Sequence, residues 1–213
     1  MQADLFGNAP AELVLAPQAR LLQGLALPYV PRLLAALEQI QQAAPFRHMV
    51  TPGGLAMSVA LTNCGALGWT SDRQGYRYSP LDPDTDLPWP PLPEVLLQLA
   101  QDAAVRAGFA GFVPDACLVN RYLPGARLSL HQDRDERDYS APIVSVSLGI
   151  PATFLLGGFS RNDKTLRVPL VHGDVVVWGG TDRLRYHGVL PVAEAEHSLL
   201  GAQRINLTLR KAG

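Results

Sequence analysis

Between Cys117 and Leu209 the chain breaks into short runs of alternating or apolar residues, separated by Gly, Asn and Asp turn signals. The runs are Cys117–Leu123, Leu128–His131, Ile143–Leu148, Thr153–Leu156, Leu166–Leu170, Val175–Trp178, Arg185–Val189 and Ile205–Leu209. Many short strands at this spacing argue against βαβ units and for a sandwich or a jelly-roll barrel. Two amphipathic helices come first. Leu33, Leu34, Leu37 and Ile40 follow Pro31 at helical spacing, which predicts a helix over about 31–43. Val95, Leu96, Leu99 and Ala103 follow Pro93, with Gly108 placed to end the second helix. The expected class is mainly β with flanking helices, an α+β protein.

The chain has 213 residues, enough for one large domain, and 47% of them are apolar, enough to bury a core. A net charge of −1 gives no global electrostatic reason to bind a polyanion, so any such contact needs a local patch. Of the 18 basic residues only Lys164 and Lys211 are lysines, and arginine suits bidentate recognition of carboxylate or phosphate. Cys64 and Cys117 are too few for a disulfide framework or a cysteine-rich zinc site. With no leader-like N-terminus and no run near the ~18 apolar residues of a membrane span, a cytoplasmic protein without membrane contact is expected.

Residues 45–93 differ in character. Met57, Val59 and Leu61 alternate with Ser58, Ala60 and Thr62, and Gly and Pro then dominate. Trp69, Arg73, Tyr76, Arg77 and Tyr78 are interleaved in this stretch. Either Trp69 and Tyr76 pin a loop to the core, or the segment is a flap that stacks on a flat ligand.

Two strand-borne patterns carry chemistry. In Leu128–Asp135, His131 and Asp133 are two residues apart and share a face if the strand continues. An imidazole and a carboxylate side by side fill two sites of a metal, and a distant histidine would complete a 2-His-1-carboxylate triad. Among His48, His172, His187 and His197, the last before a strand-like Gly188-Val189-Leu190 is His187, and it is the best third ligand. In Arg204–Arg210, the residues Arg204, Asn206, Thr208 and Arg210 lie on one face and Ile205, Leu207 and Leu209 on the other. The two guanidiniums sit about 20 Å apart along a straight strand. Inside a barrel they would need anionic partners, and a dicarboxylate is the economical one. Asn120 and Tyr122 on a neighbouring strand could hydrogen-bond it. The alternative is the polar, solvent-facing side of an edge strand.

Joined together, His131-x-Asp133, His187 and Arg204-x-Asn206-x-x-x-Arg210 resemble the Fe(II)/2-oxoglutarate dioxygenases of the AlkB type. Asn120-Arg121-Tyr122, Met49–Gly54, Thr62–Gly65, Gly68-Trp69-Thr70 and His172–Gly180 extend the resemblance from about Phe46 to Arg210. It implies a double-stranded β-helix, a jelly-roll or cupin-like core over 94–213. A nucleotide-recognition lid would cover 45–93 and an arm with one helix 1–44, all as one domain. His131, Asp133 and His187 would hold Fe(II), with 2-oxoglutarate and O2 as cosubstrates. Arg204, Asn120 and Tyr122 would take one carboxylate of 2-oxoglutarate and Arg210 the other, with Asn206 between them. Trp69 would stack on an extruded base opposite the His131 ring, Tyr76 would contact its phosphate, and Asp135 and Arg161 would line the base pocket. The implied reaction is oxidative demethylation of 1-methyladenine and 3-methylcytosine by a monomer. Its substrate would be alkylated single- or double-stranded DNA, or RNA. Rival readings are a 2-oxoglutarate oxygenase acting on a protein or small molecule, a non-catalytic cupin-like sensor, and a structural jelly roll.

Overall fold

The computed structural model describes residues 11–213. In chain order the strands are β1 (Glu12–Ala16), β2 (Ala19–Leu22), β3 (Ala60–Gly65), β4 (Gly68–Asp72) and β5 (Gly75–Ser79). After the second helix come β6 (Ala116–Tyr122), β7 (Leu128–His131), β8 (Ile143–Gly149), β9 (Ala152–Leu156) and β10 (Leu166–Leu170). β11 (Val175–Trp178), β12 (His187–Val189) and β13 (Arg204–Arg210) close the series. The helices are α1 (Val30–Ala43) and α2 (Glu94–Arg106).

Seven strands form one sheet in the order β1-β2-β11-β8-β13-β6-β3, and four form a second in the order β10-β9-β12-β7. All their pairings are antiparallel. The seven-stranded sheet has two different faces because its strands alternate. Ile205, Leu207 and Leu209 pack with Val144, Val146, Leu148 and Val119 beneath Leu33, Leu37, Ile40, Leu96 and Leu99 of the two helices. The opposite face meets the four-stranded sheet through Leu21, Leu61, Tyr122, Phe154, Leu156, Val168, Val176 and Trp178. This is the jelly-roll sandwich with flanking helices expected from the sequence.

The strand Arg204–Arg210 is not at an edge. Its neighbours are β8 and β6, with Asn206 opposite both Ser147 and Asn120, and all seven residues are buried. Its polar face therefore looks into the space between the sheets.

Two readings of the N-terminal half change. The strand expected from Met57 begins at Ala60 and runs to Gly65, paired to β6 along its length. The Gly-rich stretch after it is not irregular, because β4 and β5 pair as a hairpin from Gly68↔Ser79 to Asp72↔Gly75. Gly68 reads as loop punctuation, yet it is a strand residue whose missing side chain admits Trp89. A Cβ there would stand 2.3 Å from the Trp89 indole nitrogen. Part of the arm preceding α1 is also ordered, since β2 pairs with β11 and extends the large sheet. The portion before residue 11 lies outside the described residues.

Candidate active site

The jelly roll brings His131 and His187 directly opposite each other, because β7 and β12 pair with His187 on His131. Asp133 lies two residues past the end of β7. The His131 Nε2 and His187 Nε2 atoms stand 3.6 and 3.7 Å from its two carboxylate oxygens. Among the described residues these three form a cluster able to hold a metal, with one ligand atom from each within 4.8 Å of the others.

The tautomers are set by the backbone. His131 Nδ1 lies 2.9 Å from the Ser129 carbonyl and His187 Nδ1 3.1 Å from the Arg185 carbonyl. A carbonyl only accepts, so each Nδ1 carries the hydrogen and each Nε2 turns its lone pair to the cluster. Burial pushes the His187 imidazole down to about 3, aided by its proximity to His131, so it is neutral and ready to ligate at neutral pH. Asp133 opposes its own burial with charge. The Arg210 guanidinium, donating to Oδ2 from Nη2 at 2.7 Å and Nε at 3.0 Å, holds its carboxyl well below the usual range. Two imidazoles presenting Nε2 and a carboxylate, gathered at one point, are the donor set of a 2-His-1-carboxylate Fe(II) centre.

Beside this cluster the polar face of β13 supplies a second set of groups. Arg204 is 2% exposed, with its guanidinium 4.9 Å from the Tyr122 ring centre. Only its Nη2 has a partner, the Ser147 hydroxyl at 2.9 Å. Its Nε and Nη1 and the Tyr122 hydroxyl are buried without hydrogen-bond partners. Orphaned donors of this kind are rare in a folded interior, and a buried guanidinium is costlier still. A carboxylate ligand would satisfy them together, which is the fit a dicarboxylate cosubstrate requires. Asn206 is differently employed. It donates to Ser145 Oγ at 2.8 Å and the Val146 carbonyl at 3.0 Å, and accepts from Asn120 at 3.2 Å and Thr208 at 3.0 Å. Asn120 and Asn206 thus brace the strands around Arg204.

Two residues that pattern alone did not single out complete the centre. Glu136 is a buried carboxylate that accepts from the Tyr78 hydroxyl at 2.8 Å and pairs with Arg183 at 3.0 Å and Arg210 at 3.3 Å. Arg183 also donates to the carbonyls of Asp133 at 3.0 Å and Ala141 at 3.2 Å, fixing the loop that presents Asp133. Glu136 follows Asp135 in sequence, but its partners come from β5, β13 and the turn after β11, so no local signal marks it. Arg183→Met is expected to leave Glu136 under-compensated and to destabilise the protein by about 3 kcal/mol in urea unfolding.

The β4–β5 hairpin sets aromatic groups beside the cluster. Trp69 stacks on Tyr76 with ring centres 5.6 Å apart and planes 16° from parallel, and its indole N–H donates to Asp135 at 2.7 Å. The Trp69 ring thus lies against Tyr76 here and not against His131. Arg161 donates to the carbonyl of Leu130 at 2.6 Å, next to His131, and lies over the Tyr186 ring. The remaining histidines are elsewhere. His172 and His197 stack on each other at 4.2 Å, and His48 contacts the Met57 carbonyl. Asp82 serves the fold by pairing with Arg47 at 2.7 Å.

Comparison with known proteins agrees with this geometry. The model of the 2OG-Fe(II) oxygenase superfamily matches residues 18–210. The chain is 55% identical over 211 residues to the alpha-ketoglutarate-dependent dioxygenase AlkB of Escherichia coli K12, covering 99% of this chain and 98% of that one. It is 47% identical to the AlkB homolog of Caulobacter vibrioides over 86% of this chain and 80% of that protein. A solved structure of OsALKBH1 superposes with a TM-score of 0.80 at 27% identity, covering 94% of this chain and all of that one. Sheet order, ligand cluster and sequence identity converge, and the chain belongs to the AlkB family of Fe(II)/2-oxoglutarate-dependent dioxygenases.

Proposed function

We propose that this enzyme repairs alkylated nucleic acid by oxidative demethylation of 1-methyladenine and 3-methylcytosine in DNA and RNA. The observation that carries the reading is the aromatic hairpin bonded to Asp135, four residues from one metal ligand and two from another. The names of relatives support the same class, among them an Arabidopsis DNA N(6)-methyladenine demethylase 37% identical over 134 residues. When bound, Fe(II) with 2-oxoglutarate and O2 supplies the C–H oxidation whose products are formaldehyde, succinate, CO2 and the unmethylated base.

The chain's own residues do the rest. His131, Asp133 and His187 hold the metal, and Arg204 with Tyr122 takes one carboxylate of 2-oxoglutarate. Arg210 keeps Asp133 ionised, while its Nη1, which has only the Tyr78 hydroxyl at 3.5 Å, is left for the other carboxylate. Residues 45–93 form the nucleotide-recognition lid over the 94–213 core of a single domain. Trp69 and Tyr76 exchange their mutual stacking for a base and its phosphate, and Arg161, anchored at Leu130, closes the far side of the pocket. An N-methyl on a pairing position blocks the partner strand, so a damaged base is extruded at less than the few kcal/mol of an intact pair. The enzyme acts as a cytoplasmic monomer. No helix among the described residues is long and apolar enough to cross a membrane.

Asp135 gives the lesion preference. N-methylation on these ring nitrogens makes adenine and cytosine cationic, and a carboxylate in the pocket favours the cation over the neutral base. Asp135→Ala is expected to lower the preference for methylated over unmethylated strands by about tenfold, while 2-oxoglutarate turnover changes less. Equal losses in both assays would remove Asp135 from recognition. The reading as a whole is tested by anaerobic loading with Fe(II) and 2-oxoglutarate, then addition of O2 and a 1-methyladenine oligonucleotide. Formaldehyde release is expected. Turnover with free amino acids and none with the oligonucleotide would favour a protein or small-molecule substrate.

A further inference from the structure

A cleft of about 370 Å³ opens beside the base-recognition residues, lined by Leu67, Tyr76, Arg77, Pro80, Asp135 and Arg137. Its charges are unequally committed. Arg77 is held by Asp72 through two bonds of 3.0 and 2.6 Å, so its charge is already answered. The Asp135 carboxylate accepts the Trp69 indole hydrogen. Arg137 is exposed, and its side chain makes no hydrogen bond or ion pair among the described residues. Its backbone N–H donates to the Ala212 carbonyl at 3.2 Å, which fixes where its side chain leaves the wall. Tyr76 is 48% exposed with one ring face covered by Trp69.

We infer that this cleft takes the nucleotide next to the extruded one. Arg137 binds its phosphodiester, and the open face of Tyr76 lies against its sugar or base. The inference rests on the nucleic-acid reading above and deepens it. Three observations select a strand over other ligands. The cleft shares Tyr76 and Asp135 with the base pocket, so whatever enters it is continuous with the target. An aromatic face beside an uncommitted cation is the standard arrangement for holding single-stranded nucleic acid without reading sequence. A chain with no net positive charge needs such a local contact to grip a polyanion.

The test is fluorescence anisotropy with the Fe(II)- and 2-oxoglutarate-loaded enzyme under argon. The probe is a short single-stranded oligonucleotide carrying 1-methyladenine, with one linkage at a time replaced by an uncharged methylphosphonate. In the wild type, neutralising one linkage adjacent to the lesion is expected to weaken binding about tenfold. Arg137→Gln should weaken binding of the unmodified strand by a similar factor and lower the salt-dependence slope by about one. In that variant the same methylphosphonate should have no further effect. The assignment is overturned if Arg137→Gln matches the wild type in affinity and slope, or if every methylphosphonate acts equally on both proteins. Wild-type protein that binds the strand with an Arg137-independent profile loses only the cleft. Wild-type protein that binds no strand loses the nucleic-acid reading as well.

Discussion

Arg204→Met is expected to raise the stability of the metal- and cosubstrate-free protein while crippling its hold on 2-oxoglutarate. Arg204 is buried, and burial pulls its guanidinium below its ordinary value. Two of its donor atoms have no partner, and the Tyr122 hydroxyl beside it is likewise unpaired. Replacing such a charge by an apolar side chain of similar length removes a desolvation penalty, with a gain of about 2 kcal/mol. For a chain of this size that is a rise of roughly 4–8 °C in melting temperature. The same substitution deletes the group that would pair with a buried carboxylate, and 2-oxoglutarate affinity should fall by about 100-fold, roughly 3 kcal/mol. Differential scanning fluorimetry with and without 2-oxoglutarate reads both effects, because ligand binding stabilises only the protein that binds it. A wild type that melts higher than the variant without ligand, and an equal ligand shift in both, would count against Arg204 as the cosubstrate anchor.

The second large effect is at the metal. His187→Ala removes one of three ligands and should cut formaldehyde release by roughly 10³-fold or more, several kcal/mol of barrier. It should also abolish tight Fe(II) binding in an anaerobic titration. The variant carries a separate signature in the absence of metal. His187 is neutral in the fold down to about 3, whereas an unfolded imidazole takes a proton below about 6.5. Its contribution to stability is therefore full above that upper value and is lost as pH falls toward the lower one. Asp133, held low by Arg210, loses stability in the same direction, but only below the carboxylate range near 3.9. Urea midpoints at pH 7 and pH 5 isolate the histidine. The wild type should lose stability between them and His187→Ala should lose less. The same slope in both proteins would show that His187 is not buried neutral.

Much of this centre is legible in sequence because it depends on strand periodicity. Arg204-x-Asn206-x-Thr208-x-Arg210 obeys the period of two throughout β13, so its shared face follows from spacing, whereas β7 ends at His131 and the loop beyond it brings Asp133 back beside the ring. The strands of the C-terminal half are readable from turn signals, whereas in the N-terminal half the strand expected from Met57 starts at Ala60 and the Gly-rich stretch over Gly68–Ser79 is a paired hairpin. There the glycine answers a tertiary contact with Trp89, not a turn. Spacing could not say whether the arginine face of β13 met solvent or the interior. That depended on β8 and β6 flanking it and on the four-stranded sheet covering it. The strand-like run after His187 singles it out over His172 in the sequence, and β12 pairing with β7 across 56 residues of chain is what sets it opposite His131.

Glu136 and Arg183 mark the sharpest limit. A carboxylate in a run of charged residues reads as a solvated surface, yet here it is buried among two guanidiniums and a phenol from three separate elements. The sequence by itself determined the class of the fold, the pair His131 and Asp133, and the amphipathic division of the last strand. These are local consequences of backbone geometry and side-chain alternation. The tertiary structure decided that His187 stands directly opposite His131, that Arg204 is buried with donors to spare, and that Arg210 charges Asp133 against its own burial. Those facts depend on which groups long-range strand pairing brings within a few ångströms, and on the low dielectric that such packing creates.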